Sequence, residues 1–188
     1  FAFDITVLPT ALAGCRTNCR PDLVTVWIWD QVHEMIIDDF SRNDLVSNRG
    51  TNWRGVSDEV MGGLSKAWLT HENADGIDCL RLRGAVRLEN NGGFVQAAVD
   101  LAAPGSTLDA SEFIGLRLKT RGNDEDYSLH LRTPDNVRSW QSYRASFHAP
   151  PHWVSIDIPF DTFLPHRLEK PLDISRLRRL GLVAIGRA

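Results

Sequence analysis

Two stretches decide the fold: Ile114-Gly115-Leu116-Arg117-Leu118-Lys119-Thr120 and, after Gly122-Asn123-Asp124, Tyr127-Ser128-Leu129-His130-Leu131-Arg132. In each, leucine alternates with a polar or charged residue, the period of a strand with one dry face and one wet face. Leu116, Leu118, Leu129 and Leu131 therefore point toward a core, and Arg117, Lys119, His130 and Arg132 point away from it. Gly, Asn and Asp between the two runs accept the backbone angles of a tight connection.

The same rhythm extends in both directions. Cys79–Leu82 and Ala85–Leu88 alternate on either side of Gly84, and Phe94–Leu101 follows Asn90-Asn91-Gly92-Gly93, a tetrad with the chemistry of a hairpin turn. Tyr143, Ala145 and Phe147 alternate with Ser142, Arg144 and Ser146; Val154, Ile156 and Ile158 alternate with Ser155 and Asp157. Turn clusters at Thr133-Pro134-Asp135-Asn136 and Ala149-Pro150-Pro151 give a spacing that suits an antiparallel sandwich. The expected fold is all-β, an antiparallel β-sandwich with little helix. Asp161–Phe163 and Asp173–Leu177 can each form a helical turn, since Asp at the start can cap exposed amides. The predicted core is Leu80, Leu82, Phe94 or Val95, Leu116, Leu118, Leu129, Leu131, Phe147, Ile156 and Ile158.

A chain of 188 residues has length for one such core. The strand rhythm begins near Met35, so residues 1–34 read as an N-terminal extension outside the core and residues 35–188 as the domain. Leu180–Ile185 reads as the last strand. A further closing strand is expected to be missing, which leaves an open edge prone to association. The formal charge of -3 comes from interspersed acids and bases, so no overall field favours nucleic acid. No apolar run approaches the ~20 residues of a transmembrane segment.

Three cysteines are present. Cys79, in a strand-like run, reads as a small buried thiol and favours a reducing compartment; Cys15 and Cys19 read as unpaired thiols or a local disulfide rather than metal ligands. Leu12-Ala13-Gly14-Cys15 matches a bacterial lipoprotein cleavage box, but no basic segment precedes it and Asp4 and Pro9 interrupt the apolar stretch.

The most specific stretch runs from Asn52 to Ser65, with Trp53, Arg54, Asp58 and the pair Gly62-Gly63. Trp53, Arg54 and Asp58 can form a recognition patch; the competing reading makes Trp53 a plug at one end of the sandwich and Asp58 an acceptor of local amides. Arg117, Lys119, His130 and Arg132, with Arg144, make a second candidate: a sheet face for an anionic or hydroxyl-rich partner, or a solvated face. No catalytic set and no cofactor or metal site emerges. Asp38 and Asp39 are too few for calcium.

Asp38-Asp39-Phe40, Trp53 to Ser65 and Asn90-Asn91-Gly92-Gly93-Phe94 resemble, in order, the signature blocks of the complex I intermediate-associated protein family. Gly115–Gly122, Tyr127–Arg132, Trp153–Phe160 and Leu180-Gly181-Leu182 continue the resemblance. It implies a galactose-binding-like jelly roll and a chaperone role in assembling NADH:ubiquinone oxidoreductase, with a protein partner. The implied compartment is the cytoplasm in a bacterium and the mitochondrion in a eukaryote. The alternative, a carbohydrate-binding module, needs aromatic residues on the open face, and Trp140 is the one candidate.

Overall fold

The structure, a computed structural model, describes residues 2–7, 10–14, 33–89 and 93–186. Among these residues the strands are β1 (Ala2–Val7), β2 (Thr10–Gly14), β3 (His33–Asp38), β4 (Arg54–Ser57), β5 (Lys66–Ala74), β6 (Ile77–Ala85), β7 (Phe94–Asp100), β8 (Gly115–Arg121), β9 (Glu125–Arg132), β10 (Ser142–Ala149), β11 (Val154–Pro159), β12 (Leu164–His166) and β13 (Arg179–Ile185). A seven-stranded sheet has the order β3-β2-β8-β1-β6-β5, with β11 on the other side of β8. The second sheet is ordered β12-β10-β9-β13-β7-β4. The chain alternates between them: β4 lies in the six-stranded sheet, β5 and β6 in the seven-stranded one, and β7, β8 and β9 change sheet in turn. This is the antiparallel β-sandwich expected from the alternation, and the described residues add only short 3₁₀ turns such as Phe160–Thr162 and Ile174–Arg176.

The register of the strands is the one the leucines require. Leu116, Leu118, Leu129 and Leu131 are buried, as are Leu80, Leu82, Val95, Phe147 and Ile158; Ile156 packs partly buried against them. Of the pair Phe94 and Val95, Val95 is the core residue, since it has no exposed surface. Each fully buried Leu or Phe contributes about 1.5–3 kcal/mol of burial free energy, and a slip by one residue would forfeit a whole strand's share.

Three expectations change. Ile77–Ala85 is one strand that runs through Gly84, and β6 and β7 lie in different sheets, so the segment between them crosses the sandwich instead of closing a hairpin. The tetrad's first three residues, like Cys15, Cys19 and the end of the lipoprotein-like box, lie outside the described residues. The hairpin that does form is Asp75-Gly76 between β5 and β6, with both residues at positive φ (58° and 81°). An Asp-Gly pair suits that turn, and the sequence reading passed over it. Finally, residues 1–34 were kept apart from the domain, whereas the backbone of β1 pairs with both β6 and β8, and that of β2 with both β8 and β3. Ala2–Val7 alternates Phe3, Ile5 and Val7 with Asp4 and Thr6, a period-two signal overlooked in a short run. The strand β13 sits inside its sheet, between β7 and β9.

Candidate functional site: the outer face of the six-stranded sheet

The Asn52–Ser65 stretch is a clasp inside the fold. Trp53, 4% exposed, donates its indole N–H to Asp38 Oδ2 at 2.7 Å and packs against Phe40 with ring centroids 6.1 Å apart. Asp38 Oδ1 accepts the Phe40 amide at 3.0 Å, and Phe40 itself has φ 52°. Burial pushes the Asp38 pKa up against the pull of these two hydrogen bonds.

Asp58 has no exposed surface. Its carboxylate accepts the Ser65 amide (2.9 Å), the Ser65 hydroxyl (2.6 Å) and the amides of Gly93 and Phe94 (3.4 Å to the latter). Burial raises its pKa, but those donors together outweigh it and hold the group below the usual carboxylate range. The paired glycines have separate reasons, positive φ at Gly62 and the same carboxylate at Gly63. Gly62 sits at φ 86°, and a Cβ on Gly63 would stand 2.2 Å from Asp58 Oδ1. Trp53 and Asp58 thus have their polar groups engaged within the fold. Arg54 is exposed and pairs with Asp100 at 2.9 Å on the outer face of the six-stranded sheet.

The four basic residues read from the alternation do not converge. Arg117 and Lys119 lie on β8 in one sheet, and His130 and Arg132 on β9 in the other. In a sandwich the two outer faces look in opposite directions. On the seven-stranded side the charges are occupied. Arg117 holds Asp157 with two hydrogen bonds (2.7 and 3.0 Å) and Glu34 with a third (3.0 Å), and the Asp157 hydrogen bond is the main reason its pKa is raised. Lys119 and Arg121 lie over the Trp153 ring, 5.9 and 5.0 Å from its centroid.

On the six-stranded side, strand register builds a basic patch. His130 is directly opposite Arg144 on β10 and Gly181 on β13; Gly181 is opposite Ala98 on β7. The neighbouring row runs through Ser146, Ser128, Val183 and Gln96. These side chains point away from the core, yet Ala98 and Val183 are 1% exposed and Ser142 4%. Outward positions so well covered mark a sheltered floor, in contrast to Thr70, Arg83, Ser155 and Asp157, exposed on the other sheet. Gly181 makes room for a neighbouring side chain. A Cβ there would meet Gln96, whose side chain lies across it.

Electrostatics mark the same patch. Burial first, then Arg144, His166 and Arg132, drive the His130 pKa down to about 3, so the ring is neutral at pH 7. Arg132 and Arg144 are both lowered by burial and next by other cations, Arg178 and Arg179 for the former and Arg167 for the latter. Arg144 Nε donates to Ser142 Oγ at 3.0 Å. Arg132 donates to the carbonyls of Asn136, Arg138 and Ser139. His130 Nε2 and Arg132 Nε are buried without a hydrogen-bond partner among the described residues. Among the described residues no acid pairs with Arg132 or Arg144. The nearest outward acids in the sheet are engaged, Asp100 by Arg179 (2.6 Å) and Arg54, and Asp126 by His148 (3.0 Å).

The loop that Arg132 grips carries Trp140, half exposed and 5.9 Å from the Arg138 guanidinium. Trp140 therefore stands in the loop at the Arg132 end of the patch. The sequence reading missed His166, because β12 is three residues long and shows no alternation; its pairing with Ser142 brings it to the patch. No cluster of three or more His, Cys, Asp or Glu side chains suited to a metal occurs among the described residues. Asp39, weighed as a calcium donor, accepts from the Ser41 amide and hydroxyl.

At one end of the sheet, exposed His148 contacts two carboxylates, Nδ1 to Asp126 Oδ1 (3.0 Å) and Nε2 to Asp124 Oδ1 (3.1 Å). Those hydrogen bonds, that of Asp126 the larger, raise its pKa. The cation is thus favoured by folding: its contribution is complete below the unfolded value of ~6.5 and disappears as pH rises through the higher folded value. A proton NMR titration is expected to show His148 with a midpoint above ~6.5, moved down in Asp126→Asn, while His130 remains neutral throughout. A His148 midpoint unmoved by Asp126→Asn would remove the carboxylates as its cause.

Among solved structures, the fold is similar to the family 11 carbohydrate-binding module of cellulosomal cellulase Lic26A-Cel5E of Clostridium thermocellum. The TM-score is 0.54 at 14% identity, over 70% of this chain and 77% of that one. A second structure of the Clostridium thermocellum family 11 module, in complex with a β-1,3-1,4-mixed-linked tetrasaccharide, matches with TM-score 0.54 at 13% identity, covering 70% and 78%. At such identities the likeness extends to the fold alone. A search of curated proteins found no match. The family model described as complex I intermediate-associated protein 30 (CIA30) matches residues 39–188, from the aspartate beside the Trp53 anchor through the whole six-stranded sheet, and the chain belongs to that family.

Proposed function

We propose that this protein is a non-catalytic binding factor that holds an assembly intermediate of NADH:ubiquinone oxidoreductase on the outer face of its six-stranded sheet. The observation that carries the reading is the basic patch of that face: among the described residues Arg132 and Arg144 pair with no acid, and His130 Nε2 and Arg132 Nε have no hydrogen-bond partner. Buried polar groups left unmade cost about 1–3 kcal/mol each, a cost that a bound partner removes. Family membership supplies the kind of partner. Its place of action is then where that complex is built, the cytoplasm in a bacterium and the mitochondrion in a eukaryote. No described helix is long and apolar enough to cross a membrane.

Capture of oxidoreductase subunits from solubilised membranes of the source organism tests the reading. Wild type and Arg117→Ala are expected to retain them, and Arg144→Ala to lose at least about tenfold in affinity, since truncating a desolvated interfacial charge costs ~2–5 kcal/mol. Equal retention by all three chains would take the face out of consideration. A carbohydrate-binding reading draws on the fold likeness to the family 11 modules. It calls for aromatic platforms, and Trp140 stands beside the patch. Saturable binding of a mixed-linked β-glucan, lost in Trp140→Ala, would favour it.

A further inference from the structure

We propose that β5 is a self-association edge, through which two copies of the chain pair antiparallel over residues 66–72, about a two-fold axis at Leu69, and join their seven-stranded sheets into one. Among the described strands, β3, β4, β11 and β12 pair on one side only and are six, four, six and three residues long; β11 ends in Pro159 and β12 contains Pro165. β5 also pairs on one side only, but it is nine residues long, has no proline and follows β6 without a bulge. A long, regular, unpaired edge is a template for another strand. The side chains record the same opening. Leu69 is directly opposite Leu82, yet Leu82 is 1% exposed and Leu69 only partly buried, and Trp68 on the outer side is 57% exposed.

The strand is complementary to itself. The Asp75-Gly76 turn joins Ala74 to Ile77, and a two-residue turn of this kind closes on a hydrogen-bonded pair. Hydrogen-bonded positions recur at every second residue of an antiparallel pair, so Ala74, Glu72, Thr70 and Trp68 direct their backbone groups to β6, and His71, Leu69 and Ala67 direct theirs to the open side. With the axis at Leu69, that residue exchanges both backbone hydrogen bonds with Leu69 of the second copy, and Ala67 does so with His71. The strand's one lysine, Lys66, then faces its one glutamate, Glu72, on both sides of the axis. Arg81 holds Glu72 from its own sheet at 2.8 Å, so the carboxylate stands fixed where the second lysine arrives. Trp68 faces Thr70, and the two indoles are diagonal neighbours, about 7–8 Å apart at the backbone and within aromatic reach. Moving the axis to Thr70 would set Trp68 against Glu72 and Lys66 against Ala74, which loses the charge pairs and leaves both indoles apart. The second copy is thus the partner whose charges and apolar groups this edge matches, in the isologous contact of a two-fold dimer.

Sedimentation velocity on the whole chain, from about 1 to about 100 μM, is expected to show a dimer whose fraction rises with concentration. Trp68→Lys should weaken that dimer at least about tenfold, because two cations replace two indoles at the axis, while the thermal midpoint of the monomer stays near that of wild type, since the side chain is exposed. Lys66→Glu should weaken it at least about twofold, as like charges then face each other on both sides of the axis. Register is read by cross-linking. Opposed hydrogen-bonded residues have Cα atoms about 5.5 Å apart, inside the span of a disulfide, so Leu69→Cys is expected to give a disulfide-linked dimer on mild oxidation. Ser155→Cys, exposed on β11, should give no more of it than wild type. The proposal is overturned if wild type stays monomeric over the whole range, if Trp68→Lys dimerises as wild type does, or if Thr70→Cys cross-links and Leu69→Cys does not.

Discussion

Trp53→Ala is expected to lower the unfolding free energy by about 3–5 kcal/mol, measured as a shift of the denaturant midpoint at unchanged slope. Two losses combine. The indole is buried against Phe40, so its removal leaves a cavity at the end of the core. It also donates to Asp38 Oδ2, so its removal strands a buried carboxylate oxygen. Trp53→Phe separates the two, since it keeps ring packing and loses the donor; its expected cost is about 1–3 kcal/mol, the desolvation of one unpaired polar group. A Trp53→Ala chain that unfolds at the wild-type midpoint while losing partner capture would return Trp53 to the recognition surface.

Asp58→Ala should cost a similar amount, at least about 3 kcal/mol, because the amides of Ser65, Gly93 and Phe94 lose a charged acceptor in a buried place. Here pH supplies a second check. The folded pKa of Asp58 is held below that of the unfolded chain, so its contribution is present above the unfolded value of ~3.9 and is lost as pH falls through the folded value. Stability measured from pH 6 downward, to about pH 2, should therefore fall more steeply in wild type than in Asp58→Asn. Parallel curves for the two chains would show that the carboxylate charge contributes nothing to the clasp.

The alternation of leucine with polar residues was enough to place the core. It turns Leu116, Leu118, Leu129 and Leu131 inward whatever the sheet order, because side chains of a strand change sides at every residue. The glycine pair after Met61 likewise announced a tight backbone, and its reasons are the positive φ of Gly62 and the closeness of Gly63 to Asp58. The hydrogen-bond partners of that aspartate were not legible, since Ser65, Gly93 and Phe94 lie 7, 35 and 36 residues away. The Asp75-Gly76 hairpin and the alternation in Ala2–Val7 were legible and were passed over.

Local sequence therefore determined which residues face out on each strand, and tertiary structure alone decided which of those faces became neighbours. Arg117 and Arg132 carry the same pattern fifteen residues apart, yet β8 joins one sheet and β9 the other. That choice is made by long-range pairing: β8 finds β1, β2 and β11, and β9 finds β10 and β13. On the first face Asp157 and Glu34 arrive to neutralise Arg117. On the second, Arg144 and His166 are brought beside His130, and a basic patch without a described counter-charge is left there. Period two is a property of a single strand, whereas the company a charge keeps depends on strands distant in the chain.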